Sequence, residues 1–443
     1  MPSPTKVGSF PYLPVEFTKD GDVFKQSQVD AVLKLIGQPL QPNGVTDLFV
    51  ISHGWNNDIP EAENLYSSIF GKINEVLAQA NPACTNVRAR RAAVVGILWP
   101  SKKFDEASLI AGGAAAMSAK SVADLTKSIE LLTSFVATPD AKKSLARAAS
   151  LVPKLADSVD ARDEFVRIIR AYMPHDVNSE EPVIPEDLFT LDGDQLLQRL
   201  SRPAHDGKPS ASSGGAAGFG DWIGKAVDGA KNLVNLVTYY QMKNRAGAVG
   251  EKGAYNLLRQ IRAARPSDGA NALRLHLIGH SFGCRLVTAA TAGPANSQPL
   301  PVDTLTLLQA AFSHFGFAQA YDGTHDGYFR RVVTDPARVR GPIVITFTAK
   351  DKAVGLAYPI ASRVARQIAA AMGDANDPYG GLGRNGAQKT PGAQTVTLGQ
   401  VGTAYAFALR GIYNLDSNAI IGGHSDLAHP EVAYAIVSAV STV

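Results

Sequence analysis

Cysteine is nearly missing from this chain: only Cys84 and Cys284 occur among its 443 residues. Two thiols cannot staple a disulfide scaffold or fill a four-ligand zinc site. Two free thiols are the preferred reading, with one long-range disulfide left open. Long apolar runs are missing too. The longest uncharged stretches, such as Ser108 to Ala119 and Val432 to Val443, fall well short of the roughly 18 residues a membrane span needs. The opening Met1-Pro2-Ser3-Pro4-Thr5-Lys6 lacks the apolar core of a signal peptide. A cytoplasmic protein is therefore expected, with export by a signal-independent route left open. Nor does one sign of charge dominate. Lys+Arg 43 against Asp+Glu 40 leaves a net +3, too mild for the clustered basic stripe that nucleic acid requires. No internal repeat is visible. With 45% hydrophobic residues the chain can bury a large core, which excludes wholesale disorder.

What is present is a series of short apolar, β-prone runs bounded by turn residues: Asp47 to Ser52, Ala93 to Trp99, Leu273 to Ile278, Thr304 to Leu308 and Ile343 to Thr348. Helical patterns such as Ile59 to Ala80 and Gly283 to Ala292 separate some of them. Strands alternating with helices predict an α/β fold with a mostly parallel sheet flanked by helices. A weaker strand pair around Leu13 to Phe17 extends one edge, and Gly411 to Leu415 reads as the last strand. Between Lys102 and Gly250 the alternation fails. Leu145, Ala148 and Val152, then Phe165, Ile168 and Ile169, keep helical spacing. Ser201 to Gly220 is a Gly/Ser-rich loop, and Trp222, Ile223, Ala226, Val227, Ala230, Leu233, Val234 and Val237 line one helix face. Length alone suggests about three domains. The pattern instead predicts one core, residues 1–101 and 251–443, interrupted by a helical insertion at 102–250.

Gly279-His280-Ser281-Phe282-Gly283 is the most informative stretch. It follows a hydrophobic strand directly and precedes a helical pattern directly. A serine at a sharp strand-to-helix turn is held strained with its hydroxyl exposed above the sheet, and the flanking positions pass too close for side chains. Ser281 is the candidate nucleophile. A serine needs a base, and the base an orienting acid, in the chain order Ser, acid, His. Asp351 stands just past the carboxyl end of its strand. Asp303 precedes a strand, and Asp322, Asp326 and Asp335 lie in a loop-like stretch. His424 sits in the glycine-led loop Gly422-Gly423-His424. His429, held in reserve, looks like a partial cap of the terminal helix. His276 lies inside a strand, His175 and His205 lie in the polar insertion, and His314 and His325 have no metal-ligand spacing to each other or to cysteine, so no metal site is expected. His280 reads as packed beside Ser281.

Acyl transfer builds charge on a carbonyl oxygen, for which backbone N–H donors must wait. The N–H of Phe282 is one candidate. Ser52-His53-Gly54-Trp55-Asn56 turns sharply after its strand and offers the N–H of Trp55, with Asn56 as the neighbouring alternative. His53, Gly54 and His280 are candidate substrate-binding residues.

These segments together resemble the α/β-hydrolase superfamily, and within it bacterial esterase/lipase-like serine hydrolases. Leu98-Trp99-Pro100-Ser101, Asp326-Gly327-Tyr328-Phe329-Arg330 and Gly423-His424-Ser425-Asp426 share that look. The resemblance implies hydrolysis of carboxylic esters, small-molecule or lipid, through an acyl-enzyme at Ser281, with no cofactor. It also implies that the insertion is a lid or cap, although the stripe from Trp222 to Val237 equally suits simple packing onto the sheet. A serine peptidase or amidase and a catalytically silent binding module stay open as alternatives, and transient contact with a membrane surface is left open.

Overall fold

The computed structural model describes residues 5–37, 44–101, 119–133, 135–136, 138–173, 187–201, 219–269, 271–354 and 380–443. They fall into two compact units. The first comprises the described residues of Met1–Lys102, Lys243–Val354 and Gly381–Val443, and the second those of Lys103–Met242 with Gly380.

Nine strands among the described residues form one sheet in the first unit: β1 (Lys6–Val7), β2 (Phe10–Glu16), β3 (Asp47–Ser52), β4 (Ala92–Leu98), β5 (Arg274–His280), β6 (Thr304–Leu308), β7 (Ile343–Phe347), β8 (Ala393–Thr397) and β9 (Ile412–Asp416). Their order across the sheet is β1-β2-β4-β3-β5-β6-β7-β9-β8. Only the β1–β2 pair is antiparallel; every other neighbour is parallel. The continuous apolar character of β3 to β7 has a physical reason. Phe49 and Ile51 of β3 pack in one core with Ile278, Val344 and the helices Ile59–Leu77 and Pro430–Val440. Leu48 and Val50, pointing the other way, are equally buried. With both faces covered, a strand has no need of alternating polar residues.

The chain steps from β3 to β4 on one side and, after returning to β5 beside β3, runs on through β6 and β7 to the other. The order therefore reverses between β3 and β5, and Ser52 lies beside Gly279 in that pair. In open α/β sheets such a reversal leaves a crevice at the carboxyl ends of the two strands, where ligands bind.

Several elements of the first unit depart from the sequence reading. The pattern expected over Ile59 to Ala80 ends at Leu77, and a second helix, Pro82–Arg88, begins because Asn81 accepts the Cys84 N–H at 3.0 Å and Pro82 suits a first turn. The helix Gln26–Ile36 was not read as one. β8 extends the sheet beyond β9, the strand read as the last; its exposed Gln394, Thr395 and Thr397 give it none of the apolar signal of a central strand. Both cysteines are free and buried.

The second unit is helical where it is described. The helices Pro139–Leu151 and Val159–Arg170 bury Leu145, Ala148, Phe165, Ile168 and Ile169. Residues 219–242 of the helix Phe219–Ala248 bury Ala226, Val227, Ala230, Leu233, Val234 and Val237. That helix packs against Gly193–Leu200, where the Asn232 side chain donates to the Leu200 carbonyl at 2.8 Å. The Gly/Ser-rich loop lies outside the described residues over 202–218, as do 102–118 and the side chains of Trp222 and Ile223. Among the described residues no helix is long and apolar enough to cross a membrane.

The amino ends of the strands carry buried charge. Asp47, at the foot of β3, accepts from Arg90 at 3.1 Å, from His276 Nε2 at 3.1 Å and from the Thr46 hydroxyl at 2.7 Å. Burial would raise this carboxyl, but His276, Thr46 and Arg90 outweigh it and hold it at about 2. Asp47→Ala would leave those donors facing an apolar hole. It should cost about 3–5 kcal/mol in denaturant unfolding, as breaking a buried pair does. Because the folded value is depressed, this stabilisation is present above the unfolded value of about 3.9. It is lost as pH falls toward about 2, so the variant should lose that part of the acid dependence.

Candidate functional site

β5 ends at His280 and the next helix starts at Phe282, so Ser281 alone makes the turn. Its φ of 55° and ψ of −124° lie where non-glycine residues rarely sit, a strain of about 1–3 kcal/mol that the surroundings must sustain. They do so with hydrogen bonds. The Ser281 N–H donates to Leu308 O at 3.1 Å, and the Ser281 carbonyl accepts from Cys284 at 3.0 Å and Ala311 at 3.2 Å. Close packing completes the restraint. A Cβ on Gly283 would run into the Ser52 carbonyl, and one on Gly54 would lie 2.5 Å from Ser281 Cβ. The helix opened by the turn, Phe282–Ala292, is anchored at its far end, where Arg331 and Arg338 donate to the carbonyls of Ala292 and Gly293 and of Thr291 and Ala292.

Above the sheet the Ser281 Oγ lies 2.8 Å from His424 Nε2, and His424 Nδ1 lies 2.8 Å from Asp351 Oδ2. A carboxylate only accepts, so Nδ1 carries a proton, and in the neutral ring Nε2 is left to take one from the serine hydroxyl. Asp351 is fully buried. Burial would raise its carboxyl, but His424, the Val354 N–H and Gln309 more than compensate, and it sits below the usual range. Asp351 therefore stays ionised at neutral pH. Ser281 directly follows β5, and Asp351 and His424 lie in the loops after β7 and β9.

The loop bearing His424 is held by His280, whose Nε2–H donates to the His424 carbonyl at 3.0 Å. The two rings lie 5.0 Å apart. Burial and the neighbouring His424 push His280 down to about 3, so it is neutral. Among the described residues its Nδ1 is buried without a hydrogen-bond partner.

His53 and Gly54 come to the same place from β3. The His53 ring accepts the Trp99 N–H at 3.2 Å on Nε2, and its Nδ1–H donates to the Gly54 carbonyl at 2.9 Å. It also stacks on Trp99 at 5.5 Å, and burial lowers it to about 4. With both ring nitrogens spent on backbone, His53 shapes the turn. Tyr66 joins the turn to the sheet, accepting the His53 N–H at 2.9 Å and donating to Ile97 O at 2.6 Å. Trp55 follows Gly54 directly, and its ring lies 6.0 Å from that of Phe282. The Phe282 N–H stands at the first position of its helix, where the positive end of the helix dipole gathers. The Asn56 N–H donates to Ser101 O at 3.1 Å.

The other candidates lie elsewhere. Asp303 sits at the foot of the sheet, bound to Arg262 at 3.0 Å and to the Leu275 N–H at 2.8 Å. Asp322 pairs with His325, Asp326 holds the Ala320 N–H, and Asp335 pairs with Arg338. His429 begins the terminal helix but makes no side-chain cap; its Nε2 is turned to Asp426 at 2.7 Å, which corrects its reading as a partial cap. His276 is bound to Asp47 and Thr304, and His314 is buried beside Asn385. His175 and His205 lie outside the described residues. Cys284 is buried under the turn, its thiol donating to Gly279 O at 3.0 Å, and burial pushes the thiol well above its ordinary range.

No protein-family model matches this chain, and no curated protein or solved structure matches it.

What the residues can do chemically follows from their geometry: a serine hydroxyl faces an imidazole nitrogen, and a buried carboxylate fixes the imidazole behind it. Tyr66, Trp99 and Ser101, none of which was singled out as a site residue, shape the ground under that arrangement. Gly54→Ala places a methyl group against Ser281 and should cost about 1–3 kcal/mol in chemical denaturation, the usual range for overpacking. Gly423→Ala meets nothing within 4 Å. That control should stay within about 0.5 kcal/mol of the parent.

Proposed function

We propose that this chain is a serine hydrolase of the α/β-hydrolase superfamily, esterase/lipase-like, cleaving carboxylic esters through an acyl-enzyme intermediate. The observation that carries the reading is the unbroken hydrogen-bond chain from Ser281 through His424 to Asp351, with 2.8 Å at each link. In the proposed reaction Ser281 Oγ attacks the ester carbonyl while its proton passes to His424 Nε2. The imidazolium is stabilised by Asp351. The N–H groups of Phe282 and Trp55 are assigned to the developing oxyanion. Collapse of the tetrahedral intermediate breaks the carbonyl–alkoxy bond, and His424 returns the proton to the departing alcohol. Water then repeats the sequence on the acyl-serine, releasing the acid and restoring the serine hydroxyl.

Two features support this over a silent binding module. The strain at Ser281 costs stability, and the proton on the His424–Asp351 side leaves Nε2 as an acceptor, the arrangement a general base needs. The block between β4 and β5 is proposed to govern substrate access, a reading that rests on chain order alone. A soluble or lipophilic neutral ester is the expected substrate.

Ser281→Ala should lower p-nitrophenyl ester turnover on the order of 10⁴–10⁶-fold and abolish fluorophosphonate labelling, with the thermal midpoint unchanged. Asp351→Asn, which leaves the imidazole in the wrong tautomer, should lower kcat on the order of 10⁴-fold. An undiminished rate in Ser281→Ala would sink the assignment. A panel of matched esters, amides and peptides shows which bond is preferred.

A further inference from the structure

Gln309, directly after β6, has a conformation that needs an explanation. Its φ is 46°, in the left-handed region, although it is neither glycine nor asparagine. It is fully buried. Strain of this kind persists where the surroundings over-determine it, and it marks a side chain held for a purpose. Three elements converge on Gln309. Its N–H donates to the Thr346 hydroxyl of β7 at 3.1 Å. Its Nε2 donates to the Gly383 carbonyl at 2.9 Å and to Asp351 Oδ2 at 3.1 Å. The turn at Gly383 can approach because that residue lacks a side chain: a Cβ there would lie 2.5 Å from the Gln309 carbonyl carbon.

Asp351 Oδ2 is the same oxygen that receives the His424 Nδ1–H, and Oδ1 takes the Val354 N–H at 3.0 Å. The amide of Gln309 is thus the one side-chain donor on this carboxylate besides His424 among the hydrogen bonds of the described residues. Among the described residues the Gln309 Oε1 is buried without a hydrogen-bond partner. An amide that leaves its oxygen unsatisfied so that its nitrogen meets two acceptors is oriented by the acceptors.

We infer that Gln309 is a positioning residue for the proposed hydrolysis, holding the Asp351 carboxylate in place so that Asp351 fixes the tautomer and angle of His424. The inference rests on the reading of Ser281 as nucleophile. By sharing the negative charge of Oδ2, the amide also limits how strongly Asp351 holds the imidazolium, which sets the basicity of His424. The other charged or titratable groups facing this carboxylate are few. His280 lies beside His424 and is neutral. Arg384 donates to the Ala349 carbonyl at 2.7 Å and to the backbone carbonyl of Asp351 at 3.4 Å. Lys350 and Lys352 flank Asp351 in sequence and are exposed.

The test is the titration of His424 in the full-length protein, followed by NMR and assigned by the resonance lost in His424→Asn. Gln309→Met keeps the length of the side chain and removes the donor. Asp351 then concentrates its charge on His424, and the His424 midpoint should rise by roughly 0.5–1 unit, part of the worth of one charge-assisted hydrogen bond. Fluorophosphonate labelling of Ser281 at neutral pH should slow by about 1.5- to 3-fold, as a larger fraction of His424 is protonated, and by up to the full 3- to 10-fold well below the midpoint. Gln309→Gly removes the strain together with the side chain and is the variant to use should Gln309→Met fail to fold; its His424 midpoint should rise in the same direction. A folded variant whose His424 midpoint and labelling profile superimpose on those of the parent would overturn the inference and leave Gln309 a strut. Failure of the parent to label at Ser281 would instead remove the hydrolase reading, while the titration still reports the Gln309–Asp351–His424 coupling.

Discussion

Everything at the site depends on one strained residue. Ser281 turns a strand into a helix in a single step, and the cost of its backbone conformation is met by packing in which β3, β5 and the following helix touch without intervening side chains. Close backbone approach gives the turn its rigidity and brings the end of β3 against the serine. Any element that loosens this contact, such as a methyl group on Gly54, acts directly on the hydroxyl. The strain is local, but the structure sustaining it extends from Leu308 to the arginines at the far end of the helix.

The sheet separates two electrostatic regimes. At the amino ends, Asp47 and Asp303 are saturated by arginine, histidine and backbone donors, a closed network that stabilises the fold. At the carboxyl ends, Asp351 is saturated in a different way. Two of its donors belong to side chains, and one of these, His424, has a second nitrogen directed at Ser281. A buried carboxylate in the first setting contributes stability alone. In the second it transmits its charge through the imidazole to a hydroxyl. The strand reversal between β3 and β5 lies beside the second set.

Much of this was legible in the sequence, and the residues show why. β3, β4, β5, β6 and β7 are buried on both faces and announce themselves as apolar runs; β8, half exposed at the edge, does not. Ser281, Asp351 and His424 each stand beside local punctuation — a glycine pair, a strand end, a glycine-led loop — and could be singled out as positions. Gln309 could not. Leu308-Gln309-Ala310 carries no turn signal, and the residue matters only because Thr346, Gly383 and Asp351, distant in sequence, converge on it. His53 was singled out for contact with a substrate, yet its nitrogens serve Trp99 and Gly54. A ring's hydrogen-bond partners are set by tertiary packing, which the dipeptide His-Gly does not encode. The helices Gln26–Ile36 and Pro82–Arg88 were passed over because the first lacks a side-chain cap and the second is short.

The thiol of Cys284 turns this architecture into a built-in reporter. It lies wholly buried directly beneath the turn, bonded to the carbonyls of Gly279 and Leu308, and its burial disfavours the thiolate that alkylating reagents require. In the closed protein it is chemically silent. Exposing it means parting the helix from β5 and β6, the same event that would release the strain at Ser281. The pace at which that sulfur reacts is therefore a clock for how often the serine loses its posture.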